Sequence, residues 1–190
     1  REMSFDAFVT AVRAEHVESG LAVAVKTFES AKCAADKAKA DERDRELDVL
    51  RLVSELGHAH IANLLGLYES AQGWHAMLHY CGRGSLLHHL DKLRRKKMAM
   101  CEGDTVVATA QIASALSHIH SLGACHRDVK PGNVLYDGQR WRLCDFGFAI
   151  VCAGRRLKRN VGTHAYQAPE MLSLADGGYL GRPVDMWAFG

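Results

Sequence analysis

The segment HRDVKPGNVL, residues 126–135, places a carboxylate at Asp128, an ammonium at Lys130 two residues on, and an amide at Asn133 five residues after the carboxylate. Moving a phosphoryl group calls for a base, a cation and a hard oxygen donor around one centre, and this loop could supply all three. Ten residues past its end stands Asp145, in DFGFA, a second hard-cation ligand beside a glycine that permits a flexible turn. Upstream, Lys26 closes the run AVAVK, and Glu46 follows twenty residues later. The two could form an ion pair across a lobe. Taken singly, Lys26 reads as a surface lysine and Glu46 as a solvated helix charge. It is the series that points to a site.

Elements must carry these groups to one place. Residues 20–28, GLAVAVKTF, read as a turn glycine and a strand. From Ala31 to Leu56 the chain is rich in helix formers, with Leu47, Leu50, Val53 and Leu56 every three residues, so one long amphipathic helix is expected. Two apolar segments, Ile61 to Tyr68 and Trp74 to Tyr80, flank ESAQG and predict a strand pair. Gly82 and Gly84 break the pattern and open an almost wholly helical region, including a helix from about Asp104 to His120 with Asp104 as its N-cap. A strand-rich half followed by a helical half suggests two unlike lobes.

Composition narrows the classes. The 190 residues carry 24 Lys plus Arg against 22 Asp plus Glu, a net +2, too balanced for a sequence-independent nucleic-acid binder. With 48% apolar residues the chain is no disordered segment, and no apolar run is long enough for membrane insertion. The six cysteines are never closer than eight residues, which argues against a CxxC site and for an intracellular, cytoplasmic setting in which a nuclear location also fits. His58 with His60 and His88 with His89 lack a carboxylate or cysteine at ligand spacing, so zinc is disfavoured. The run Arg94 to Lys97 reads as a solvated helix end. The chain starts at Arg1 and stops after the apolar cluster Met186 to Phe189, which reads as a cut through a domain, a fragment expected to expose core and aggregate.

Five stretches in series, AVAVK, HRDVKPGN, DFG, QAPE (Gln167 to Glu170) and DMWAFG, resemble the eukaryotic protein kinase family over nearly the whole chain. The resemblance implies an α+β, two-lobed fold: an antiparallel β lobe with one helix over residues 1–79, and a hinge with an incomplete, mostly helical lobe over 80–190, together about two thirds of a kinase domain. It implies serine/threonine kinase activity with ATP and Mg²⁺, on the side of Lys130 and Thr163, and is nearest the calmodulin-dependent and cyclic-nucleotide-dependent branches. Under it Lys26 holds the α and β phosphates and Glu46 orients Lys26. Asp128 handles the substrate proton, Lys130 stabilises the transferred group, and Asn133 and Asp145 bind Mg²⁺. Backbone groups of His79 and Cys81, in a hinge from His79 to Gly84 with Leu78 as gatekeeper, meet adenine between Ala24 and Leu135. Asp185 braces the catalytic loop, His126 packs behind Phe146, and Cys144 is core filler. The partner is a protein bearing a serine or threonine acceptor.

Three departures qualify the resemblance. The glycines of the phosphate loop are replaced by Ser4, Asp6 and Val9, with Ala11 for the valine that follows, which predicts weaker nucleotide binding and keeps open a pseudokinase scaffold as the alternative function. Between Phe146 and Gly162 there is no Ser, Thr or Tyr, so the phosphate partner expected for Arg127 cannot form there, and activity without activation-segment phosphorylation is expected. Ser85 and Gly132 stand where basophilic relatives read arginine, while Arg155, Arg156, Lys158 and Arg159 are basic, so a substrate with acidic or unmarked flanks is expected.

Overall fold

The computed structural model describes residues 3–6, 9–173 and 177–190. Its first half is an antiparallel five-stranded sheet in the order β1-β2-β3-β5-β4, made of β1 (Met3–Asp6), β2 (Val9–Glu15), β3 (Ala22–Glu29), β4 (Leu64–Ser70) and β5 (Gly73–His79). Alternation along β3 puts Ala24, Lys26 and Phe28 on one face, and the register sets Lys26 opposite Ala76 and Ala24 opposite Leu78. Ser4 and Asp6 lie in β1 and Val9 in β2, paired Ser4 with Thr10 and Asp6 with Val9, so the glycine-free stretch is the first hairpin of this sheet.

The expected helix from Ala31 is two helices, α1 (Ser30–Ala35) and α2 (Lys37–Glu55), because Asp36 is extended and its carboxylate accepts the Ala38 N–H at 2.9 Å. A capping side chain competes with the backbone for that N–H and starts a helix anew. The apolar face of α2 divides its contacts. Leu47 packs with Phe28 and Ala76 under the sheet, while Val49, Leu50 and Val53 join the main core with Ile112, Leu116, Leu143 and Phe146. Each such side chain contributes about 1.5–3 kcal/mol of burial. The position of α2 is thus tied to both halves.

The second half contains α3 (Leu86–Arg95), α4 (Glu102–Ser121), α5 (Pro169–Ser173) and α6 (Gly181–Phe189). Its four short strands escape periodicity at two or three residues each: β6 (Ala124–Cys125) pairs with β9 (Ile150–Val151), and β7 (Val134–Tyr136) with β8 (Trp141–Leu143). They flank the loops that carry Asp128 and Asp145. The N-cap of α4 is Cys101, whose Sγ accepts the Asp104 N–H at 3.3 Å, not Asp104, which sits in the first turn where its charge suits the helix dipole. Arg94 and Arg95 lie in the last turn of α3, the favourable end for cations. Met186 and Trp187 on α6 are 49% and 57% exposed. Among the described residues no helix is long and apolar enough to cross a membrane.

Candidate active site

The loop after β6 folds onto one carboxylate. Asp128 is 4% exposed, and its Oδ1 accepts from the Thr163 N–H at 2.9 Å and the Thr163 hydroxyl at 2.7 Å. Its Oδ2 accepts from Asn133 Nδ2 at 2.9 Å and Lys130 Nζ at 2.8 Å. Lys130 Nζ also donates to Thr163 Oγ1 at 2.6 Å, closing a ring of three side chains. Thr163 can approach this way because Gly162 has φ +88, and a Cβ there would meet the Arg127 carbonyl at 2.3 Å.

A buried anion fixes the loop's backbone. Asp185, fully buried on α6, accepts from the N–H groups of His126 at 2.8 Å and Arg127 at 2.7 Å, and lies 2.8 Å from His120 Nε2. Arg127, at φ 65, is held in a left-handed conformation that these bonds offset. His126 packs edge-on against Phe146 at 5.1 Å and reaches the Cys144 carbonyl at 3.0 Å, joining the loop to the DFG turn.

A second cluster forms around Lys26. Its Nζ pairs with Glu46 Oε1 and lies 3.3 Å from Asp145 Oδ1, with the Lys26 and Glu46 side chains 11% and 6% exposed. Burial by itself would lower the Lys26 pKa, but the charges of Glu46 and then Asp145 outweigh it and raise the group above its usual value. Burial pushes Asp145 up, and Lys26 more than reverses this, leaving it below the usual carboxylate range. Asp145 itself is at φ 64, a strained position for a non-glycine residue. The backbone bond from Cys144 N to Asn133 O, 2.9 Å, sets the two clusters side by side.

The segment after β5 is fastened at its far end. Arg83 N donates to Tyr136 O at 3.0 Å, and Tyr136 N to Gly84 O at 2.9 Å. Beneath it, Asp137 lies 2.6 Å from Arg142 and 3.4 Å from His79 Nε2. His79 donates its N–H to Asn63 O at 3.0 Å, so that donor is not available to a base. Among the described residues no hydrogen bond uses the N–H or carbonyl of Cys81. Leu135 lies on β7, bridged to Ser85.

A family model described as the protein kinase domain matches residues 7–190. The chain belongs to the protein kinase family. Curated relatives include the developmentally-regulated protein kinase 1 of Dictyostelium discoideum, 31% identical over 96% of this chain and 24% of that protein. Others are the phosphorylase b kinase gamma catalytic chain, liver/testis isoform, of Mus musculus, 35% identical over 94% of this chain and 45% of that protein, and the carbon catabolite-derepressing protein kinase of Secale cereale, 30% over 96% and 36%. The chain therefore spans less than half the length of these relatives. The α+β, two-part architecture is that of a protein kinase domain.

The kinase domain brings Asp128, Lys130 and Asn133 into one cluster and Lys26, Glu46 and Asp145 into another. Ala24, Cys81 and Leu135 stand on β3, after β5 and on β7, respectively. The sequence motifs do not mark out Tyr179, whose hydroxyl meets Arg127 Nη1 at 3.2 Å, whereas Gln167 opens the QAPE stretch and its amide holds the Val161 and Gly162 carbonyls at 3.0 and 3.3 Å. Tyr179 lies in no period or spacing that marks it out; only the fold brings it to the loop.

Proposed function

We infer that this kinase domain transfers the γ-phosphoryl group of ATP to serine or threonine hydroxyls of protein substrates. The observation that carries the reading is the convergence of Thr163, Lys130 and Asn133 on the single carboxylate of Asp128. In that reading Asp128 orients the acceptor hydroxyl and takes its proton, while Lys130 offsets charge developing on the transferred group. Lys26, held by Glu46, positions the nucleotide phosphates. The donor set suits Mg²⁺. Asn133 spends its amide N–H groups on the carbonyl and carboxylate of Asp128, so its Oδ1 takes no hydrogen bond among the described residues, and Asp145 Oδ2 takes none either. Two hard oxygens with free lone pairs fit a divalent cation, which when bound supplies charge neutralisation at phosphate oxygens. The free backbone groups of Cys81, with the carbonyl of His79, suit the hydrogen-bonding edge of adenine between Ala24 and Leu135.

Two features shape how the reaction runs. Without glycine at Ser4, Asp6 and Val9, backbone approach to the phosphates is limited and Asp6 adds negative charge, so ATP affinity is modest. Ser85 caps α3 through its hydroxyl, and Arg155, Arg156, Lys158 and Arg159 are exposed, which supports substrates with acidic or unmarked flanks. A peptide array in which upstream arginine dominates would refute that specificity. The function itself is tested by titrating Mg²⁺-ATP into the protein and its Asp145→Ala variant. Binding that weakens at least about tenfold in the variant is expected, and equal binding would remove Asp145 from the nucleotide site.

A further inference from the structure

Catalysis as read above needs Glu46 in place, and Glu46 rides on α2. The chain between Phe146 and Gly162 offers no hydroxyl that phosphate could occupy to anchor Arg127 and order the segment. Other groups take that place. Arg127 Nε donates to the Phe148 carbonyl at 2.7 Å and Nη1 to the Tyr179 hydroxyl at 3.2 Å, and that hydroxyl donates to the Arg159 carbonyl at 2.7 Å. Leu157 and Tyr179 exchange two backbone hydrogen bonds of 2.8 Å, and Arg156 donates to the Gly178 carbonyl at 2.5 Å. Residues 156–159 are thereby stapled to residues 178–179 and to the catalytic loop.

From this stretch the Arg159 guanidinium reaches Glu42 Oε1 at 2.5 Å, across 117 residues of sequence. Glu42 precedes Glu46 on α2 by four residues, one helical turn, so the two carboxylates share a side of the helix. Arg43, the cation next to Glu42 in sequence, is engaged by Asp44 at 2.8 Å. One helix therefore carries two carboxylates in successive turns: Glu46 pairs with the nucleotide-site lysine, and Glu42 with the activation segment.

We propose that Glu42 and Arg159 are positioning residues, an ion pair through which an activation segment ordered without phosphate holds α2, and with it Glu46, against Lys26. The pair is 39% and 59% exposed on its two sides, so it tunes a helix already seated by Val49, Leu50 and Val53. An effect of about threefold fits an exposed pair. Only the activity arm of the test rests on the kinase reading; the structural arm does not.

The test compares Glu42→Arg, Arg159→Glu and the double reversal in the whole protein, by amide hydrogen exchange across α2 and by steady-state phosphorylation of a protein substrate. Each single reversal is expected to speed exchange of α2 amides and to lower kcat about threefold, with the KM of the protein substrate unchanged in Glu42→Arg, which leaves the basic segment intact. The double reversal is expected to restore both, and the differences to shrink at about 0.5 M salt, where exposed pairs are screened. Single variants indistinguishable from the parent, or a double reversal no better than the singles, overturn the proposal. Should the parent transfer no phosphoryl group at all, the kinase reading falls while the exchange data still decide whether the pair holds the helix.

Discussion

Replacing Thr163 with valine keeps the side chain's shape and deletes one hydroxyl. That hydroxyl donates to Asp128 Oδ1 at 2.7 Å and accepts from Lys130 Nζ at 2.6 Å. In the variant neither charge is orphaned, since Asp128 Oδ1 keeps the residue 163 N–H at 2.9 Å and Lys130 keeps Asp128 Oδ2 at 2.8 Å. Hydrogen bonds to charged groups are worth about 1.5–3 kcal/mol each. The retained partners absorb part of the loss, leaving a net cost of about 2 kcal/mol in holding the base and the cation, or a kcat lower by about 30-fold. Lys26, Glu46 and Cys81 are untouched, so the KM for ATP stays within about twofold. Steady-state kinetics at saturating ATP measures both. Thr163→Ser retains the hydroxyl and should stay within about threefold of the parent kcat. A valine variant at full kcat, or a serine variant as slow as valine, would refute the claim that this hydroxyl places Asp128 and Lys130.

Three further outcomes follow from the geometry. Burial pushes the Cys144 thiol well above its usual pKa, so iodoacetamide at about pH 8 should alkylate exposed Cys101 and spare Cys144 in the native protein, as read by mass spectrometry. Equal labelling would contradict the buried thiol. Burial alone would raise Asp137, but the Arg142 hydrogen bond and the N–H groups of Arg140 and Gln139 hold it at about 2, below the ordinary 3.8. Because the folded pKa is the lower one, its stabilisation of about 1–2 kcal/mol is present above about pH 4 and lost as pH falls toward 2. Asp137→Asn should lower the urea midpoint at neutral pH and flatten that acid decline; an unchanged pH profile would count against the assignment. Asp185→Asn keeps one acceptor oxygen of two and turns an amide NH2 toward either the Arg127 N–H or the His126 N–H with His120, which should cost about 3 kcal/mol in thermal unfolding, and a melting point within experimental error of the parent would deny Asp185 its bracing role.

What could be read in the sequence was what is local. The alternation of AVAVK and the three-residue apolar spacing before Leu56 mark a strand and a helix, and those two periods bring Lys26 and Glu46 face to face. HRDVKPGN carries its chemistry within eight residues, so Asp128, Lys130 and Asn133 were visible as one loop. The interruption at Asp36 was hidden because alanines and lysines on both sides favour helix, and one capping carboxylate decides the break. The cap at Cys101 was hidden because sulfur is an unusual acceptor and Asp104, three residues on, is the stronger candidate by residue type. Arg127 to Tyr179 and Arg159 to Glu42 join residues 52 and 117 apart. Such pairs leave no period in the chain, and they exist only once β9, α2 and the loop before α6 have packed.

The most direct test of the account is transfer of the γ-phosphoryl group from Mg²⁺-ATP to a generic protein substrate, measured beside Asp128→Asn and followed by phosphoamino-acid analysis. Phosphoserine or phosphothreonine that disappears in the variant is the expected result. Nucleotide binding with no transfer by the parent protein, or transfer that survives the loss of the Asp128 carboxylate, would contradict it.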